Sequence, residues 1–179
     1  MTLDISGSMI AEDLKPNRLE AAKAVGTEFL SSRPNDNIGL VIFAGESYTL
    51  CPLTTDKKTL VNLMGTIKDG MMDEDGTAIG MGLANAVNRL KDSQAKSKVI
   101  ILLTDGTNNR GEIDPMTASE LAKAYGIRVY TIGVGTKGEA PYPVQTIFGI
   151  QKQMVPVEID EETLEAIAEK TGGHYFRAT

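Results

Sequence analysis

Apolar side chains at Leu19, Ala22, Val25, Phe29 and Leu30 repeat at helical spacing, so the pattern predicts a helix over 17–33. Pro16 stands just ahead of it, where a missing amide hydrogen is harmless. Residues 37–44 form a short, nearly continuous apolar run that reads as a buried strand, and 48–50 a brief extended piece that Pro52 is expected to stop. A second helix is expected over 56–67. Ala78, Ile79, Leu83, Val87 and Leu90 then recur at helical spacing behind Thr77, whose hydroxyl suits an N-cap, and this helix is expected to end near Asp92. Gly80 and Gly82 inside it point to a close approach by a neighbour. Lys98–Thr104 contains Val-Ile-Ile-Leu-Leu, too short for a helix and too apolar for a one-sided sheet, hence a strand covered on both faces. Asp114, Pro115 and Gly126 bracket a further helix, and 128–134 reads as a third buried strand. Asp160 with Glu161 and Glu162 opens a last helix, Gly172-Gly173 closes it, and 174–177 follows as a strand. The Pro-rich stretch 138–158, containing Phe148-Gly149-Ile150, breaks the alternation and reads as a hairpin or a long loop.

Strand and helix alternating in this way imply an α/β fold: a three-layer, doubly wound, mostly parallel sheet with helices on both faces and the ligand site beyond the carboxyl ends of the strands. At 179 residues the chain suits one domain. Eighteen basic against twenty-four acidic residues give a net charge of −6, and no basic cluster interleaves with aromatics, so nucleic acid is excluded as a partner class. The single Cys51 and single His174 rule out an internal disulfide and a conventional zinc site. No apolar run reaches the ~18 residues of a membrane span. Residues 1–3 lead straight into a polar motif, so no signal peptide is expected.

The candidate chemistry lies at the predicted strand ends. Asp4, Ser6 and Ser8 alternate after the first strand, Asp105 ends another, and Thr77 precedes a helix. Taken singly, each such residue is more often a turn former or a cap. Together they offer two carboxylates and three hydroxyls, an all-oxygen set suited to a hard cation such as Mg²⁺. Competing motifs fare worse. Gly133-x-Gly135-x-x-Gly138 matches a dinucleotide fingerprint, but Pro141 and Pro143 oppose the helix it requires. There is no P-loop and no Gly-x-Ser-x-Gly elbow, and Arg110 stands where a calcium loop needs glycine. The best enzymatic alternative is a Mg²⁺-dependent phosphatase-like hydrolase with Asp4, Asp73, Asp75 and Asp105 around the ion. It lacks a clear cation for phosphate, with Arg110 and Lys137 the candidates. Glu12, Asp13, Glu74 and Glu112 near the rim read mostly as solvated charges, and the segment 143–154 as the loop that meets a partner.

Asp4-x-Ser6-x-Ser8, Thr77 within Asp75-Gly76-Thr77, and Asp105 within Leu102-Leu103-Thr104-Asp105-Gly106 resemble the metal-ion-dependent adhesion site of the von Willebrand factor A domain family. The resemblance extends over nearly the whole chain, including Gly39-Leu40-Val41-Ile42-Phe43 and Thr171-Gly172-Gly173-His174-Tyr175-Phe176. Within the family, residues 16–23, Ala44-Gly45-Glu46 and Cys51-Pro52-Leu53-Thr54-Thr55-Asp56 are similar to the bacterial Bat-type aerotolerance proteins. The resemblance implies a six-stranded sheet with one short antiparallel edge strand. It implies Mg²⁺, or alternatively Mn²⁺ or Ca²⁺, bound directly by Ser6, Ser8 and Thr77 and largely through waters by Asp4 and Asp105. It also implies a non-enzymatic module whose cation is bridged by an acidic residue of a protein partner. For the Bat-type proteins it implies anchoring in the bacterial inner membrane through segments outside these residues, a role in oxidative-stress tolerance, and sibling Bat proteins and a MoxR-type AAA+ ATPase as partners. The family's first strand carries several apolar residues before the motif, whereas only Met1, Thr2 and Leu3 precede it here. The expectation is therefore a piece of a longer chain cut in that strand, leaving backbone groups of its neighbours unpaired.

Overall fold

A computed structural model describes residues 1–178. Six strands form one sheet in the order β3-β2-β1-β4-β5-β8, with β1 Thr2–Asp4, β2 Ile38–Phe43, β3 Ser47–Thr54, β4 Lys98–Thr104, β5 Ile127–Val134 and β8 Tyr175–Ala178. All neighbouring pairs run parallel except β2 with β3. The helices are α1 Arg18–Ser32, α2 Lys57–Thr66, α3 Ile79–Leu90, α4 Pro115–Ala124 and α5 Glu161–Thr171, and the intervening β6 Gly138–Thr146 and β7 Gly149–Val157 pair as a hairpin of their own. The stretch read as hairpin or loop is thus the hairpin.

The period-2 alternation of a doubly covered strand sorts the core into two layers. Leu40 and Ile42 of β2, with Leu3 and Leu103, face Leu19 and Leu30 of α1 and Leu60 and Met64 of α2. Val41 and Phe43, with Leu102 and Val129, face Leu83, Ala118 and Ile167 of the other three helices. Each fully buried leucine or isoleucine contributes about 1.5–3 kcal/mol, and the two layers cover the sheet on both faces.

Two sequence expectations need correction. The edge piece expected over 48–50 is longer than that: β3 runs eight residues and Pro52 sits within it instead of stopping it. An edge strand has one side without a partner, so a missing amide hydrogen is tolerated there, and the β2–β3 register shifts around Leu40. Thr77 is not the N-cap of α3; Ala78 is, with no side-chain cap of its own. Asn108 takes over that task, accepting from the Ile79 amide at 2.9 Å. β1 pairs only Thr2–Asp4 with β2 and Thr2 and Leu3 with β4, so Ile38 and Gly39 of β2 and Lys98–Ile101 of β4 extend past it. The Met1 amine donates to the Gly39 carbonyl at the boundary.

Candidate metal centre

Parallel register places Leu3 beside Leu103, so Asp4 and Thr104 end their strands side by side. Thr104 Oγ1 donates to Asp4 Oδ2 at 2.6 Å, and the Ser6 amide donates to Asp4 Oδ1 at 2.8 Å. Both oxygens of Asp4 are therefore engaged, and the residue is 0% exposed. Burial, and then the charge of Asp105, push its pKa up to about 7. Two carboxylates in one buried rim repel each other, and a cation is what relieves such a pair.

The chain leaves β1 through a single turn of 3-10 helix, Gly7–Ile10, which brings the Ser6 and Ser8 hydroxyls to 3.1 Å from each other. Ser6, Ser8, Thr77, Asp105, Thr107 and Tyr142 are among the residues lining one cavity of about 500 Å³ at the carboxyl edge of the sheet. Thr77 is held there by its own amide, which donates to Asn109 Oδ1 at 2.8 Å. All five residues singled out in the sequence thus meet at one rim, four around the cavity and Asp4 beneath it. No cluster of three His, Cys, Asp or Glu suited to a metal forms among the described residues, so the site's donors are mainly hydroxyls. The hairpin roofs the rim. Tyr142 donates from its hydroxyl to the Gly7 carbonyl at 3.0 Å, Glu12 donates its amide to the Pro141 carbonyl at 2.8 Å, and Lys152 pairs with Glu12 at 2.5 Å.

Several residues escaped sequence reasoning. Thr104 was detectable, being a hydroxyl at the end of an apolar strand. Arg18 and Asp13 were not. At the first turn of α1 an arginine reads as exposed and Asp13 read as solvated, yet their side chains are only 2% and 3% exposed. Asp13 accepts from Arg18 Nε and a terminal guanidinium nitrogen, each at 2.8 Å, and from the Thr136 amide at 2.6 Å. Burial raises the Asp13 pKa, but these donors outweigh it and hold the carboxyl below its ordinary 3.8. A carboxyl lowered by folding contributes stability that is complete above its unfolded pKa and is lost as pH falls through the folded one. Thermal melts should therefore lose stability below about pH 4, with a flatter acid limb in Asp13→Asn; an unchanged slope would assign that limb to other carboxylates. Of the phosphate-binding candidates, Lys137 is paired with Glu161 at 2.5 Å, while Arg110 is exposed beside Gly76. Asp75 lines the cavity and Asp73 is exposed.

A doubly wound sheet with this rim defines a von Willebrand-type domain, and the chain belongs to the von Willebrand factor type A domain family, which matches over residues 1–179. Its fold is close to that of an aerotolerance-related membrane protein from Bacteroides fragilis, with a TM-score of 0.89 and 29% identity over 99% of this chain and 89% of that one. BatB from Bacteroides thetaiotaomicron matches with a TM-score of 0.85 and 32% identity over 98% and 87% of the two chains. A protein of unassigned role from Borreliella burgdorferi is 36% identical over 98% of this chain and 52% of its own length. The chain spans about half the length of the curated relatives it matches. Among the described residues no helix is long and apolar enough to cross a membrane.

Proposed function

We propose that this domain is a metal-ion-dependent adhesion module, with Ser6, Ser8 and Thr77 holding a divalent cation directly and Asp4 and Asp105 acting on it through waters. The single observation that supports this most is the convergence of three hydroxyls and Asp105 on one cavity, over a buried Asp4 whose oxygens are both already engaged. When bound, Mg²⁺, Mn²⁺ or Ca²⁺ supplies a Lewis-acidic position for a carboxylate oxygen of a protein partner. The chain's own residues do the rest. Neutral hydroxyls donate little charge, so the ion stays electrophilic, and Thr104 and the Ser6 amide hold Asp4 away from direct ligation. The donor set fits the all-oxygen preference of these ions. The similarity to aerotolerance-related proteins, one of them named a membrane protein, supports an aerotolerance-related role at a membrane; the further reading is a complex at the bacterial inner membrane with sibling Bat proteins and a MoxR-type AAA+ ATPase as partners.

Calorimetry with Mg²⁺, Mn²⁺ and Ca²⁺ tests the reading: one site for at least one ion is expected, and no heat with any of the three would sink it. A phosphatase assay with Mg²⁺ run beside it distinguishes the hydrolase alternative, for which turnover lost in Asp4→Ala would be the sign. The hairpin tip offers a further contact surface, because Ile147, Phe148 and Ile150 are 94%, 84% and 73% exposed at the end of the hairpin whose strands meet the rim through Pro141, Tyr142 and Lys152. Changing these three to serine should move the melting temperature by no more than about 6 °C, since each surface change usually stays within ~0.5 kcal/mol, while weakening co-purification with a sibling Bat-type domain. Equal co-purification would remove the hairpin from the interface.

A further inference from the structure

Among the described residues Arg18 is the one buried cation at the rim, and it is fixed from three sides. Its Nε and one terminal nitrogen form a two-pronged pair with Asp13, and the other terminal nitrogen donates to Asp105 Oδ2 at 3.1 Å. Asp13 is anchored in turn by the amide and hydroxyl of Thr136. Gly135 lies against the guanidinium, where a Cβ would come within 2.6 Å of Arg18 Cζ. The other Asp105 oxygen accepts from the Thr107 amide at 3.2 Å. Asp105 therefore has no oxygen without a protein partner, and the stronger restraint is the charged one from Arg18.

Resting on the metal reading above, we propose that Arg18 is a positioning residue that keeps Asp105 from ligating the cation directly and so sets how readily the loaded rim accepts a carboxylate. A carboxylate drawn onto the ion would add negative charge to its inner shell and occupy the position an incoming acid needs. Held by Arg18, Asp105 does neither. A planar fork is suited to this task because it reaches two carboxylates in fixed directions at once, which a single ammonium nitrogen does not.

The test compares the wild type with Arg18→Lys, which keeps a cation against Asp13 and loses the arm to Asp105. Three quantities are read: the Mn²⁺ affinity by calorimetry, the water-proton relaxation of the Mn²⁺-loaded protein, and the affinity of that loaded protein for acetate. In the variant Mn²⁺ should bind about tenfold tighter, the scale on which outer partners of metal ligands act. Relaxation should fall because Asp105 replaces a water, and acetate should bind about tenfold more weakly. A merely structural role would weaken Mn²⁺ and acetate together, and that result, or unchanged values for all three, overturns the inference while leaving the metal reading in place. Absence of Mn²⁺ binding by the wild type overturns both. If Arg18→Lys does not fold, Asp13→Asn combined with Arg18→Met removes both buried charges together and is judged by the same signs.

Discussion

Alanine at position 80 is expected to destabilise the domain by about 3 kcal/mol, the upper part of the usual overpacking range. A Cβ there would lie 1.8 Å from the Ile113 carbonyl oxygen and 2.7 Å from its carbon. The neighbour is backbone at the start of α4, where Asp114 accepts from the amides of Met116 and Thr117, so it cannot swing away as a side chain could. Intrinsic helix propensity works in the opposite direction, favouring alanine over glycine by about 1 kcal/mol. The clash prevails because α3 and α4 would have to separate along a packed face. A loss of that size is a large part of the ~5–15 kcal/mol that holds a domain together, and it should lower the melting temperature by roughly 10 °C. Gly65→Ala in α2 is the control. Nothing lies within 4 Å of a Cβ at that position, so propensity acts alone and a gain of up to ~1 kcal/mol is expected. Equal and small effects of the two substitutions in thermal melts would show that α3 can move off α4 at little cost.

The second large effect concerns the rim. On the metal reading, Asp4→Ala should abolish cation binding, because the carboxylate at the base of the site and its hydrogen bonds to Ser6 and Thr104 are lost together. Linkage makes this measurable without any partner. A ligand at one hundred times its Kd stabilises the folded state by about 2.7 kcal/mol, which should raise the wild-type melting temperature by several degrees, ~2–4 °C per kcal/mol at this size. In Asp4→Ala the cation-induced shift should vanish. The baseline stability without metal should change less than for most buried polar deletions, since the substitution also removes one of two mutually repelling carboxylates. A retained cation-induced shift in the variant would place the ion elsewhere.

Local spacing carried the order of the sheet strands and helices, because periods of 2 and 3.6 are written in neighbouring residues, but it left 138–158 open between a hairpin and a long loop. It carried the rim too: Asp4, Ser6 and Ser8 alternate at a strand end, Asp105 closes another strand, and parallel sheets gather such ends on one edge. Gly80 was legible as a close approach, although the sequence has no means of telling it from Gly65. What only the tertiary structure decided depends on partners distant in the chain. Arg18 and Asp105 are 87 positions apart, and Asp13 and Thr136 are 123 apart, so neither the burial of that guanidinium nor its hold on the rim leaves any local periodicity to read. The same holds for the docking of the hairpin on the Gly7–Ile10 turn and for Asn108 replacing Thr77 at the start of α3. Periodicity records which face of an element is buried; which charge is buried with it, and against what, is determined only when the sheet brings its strand ends together.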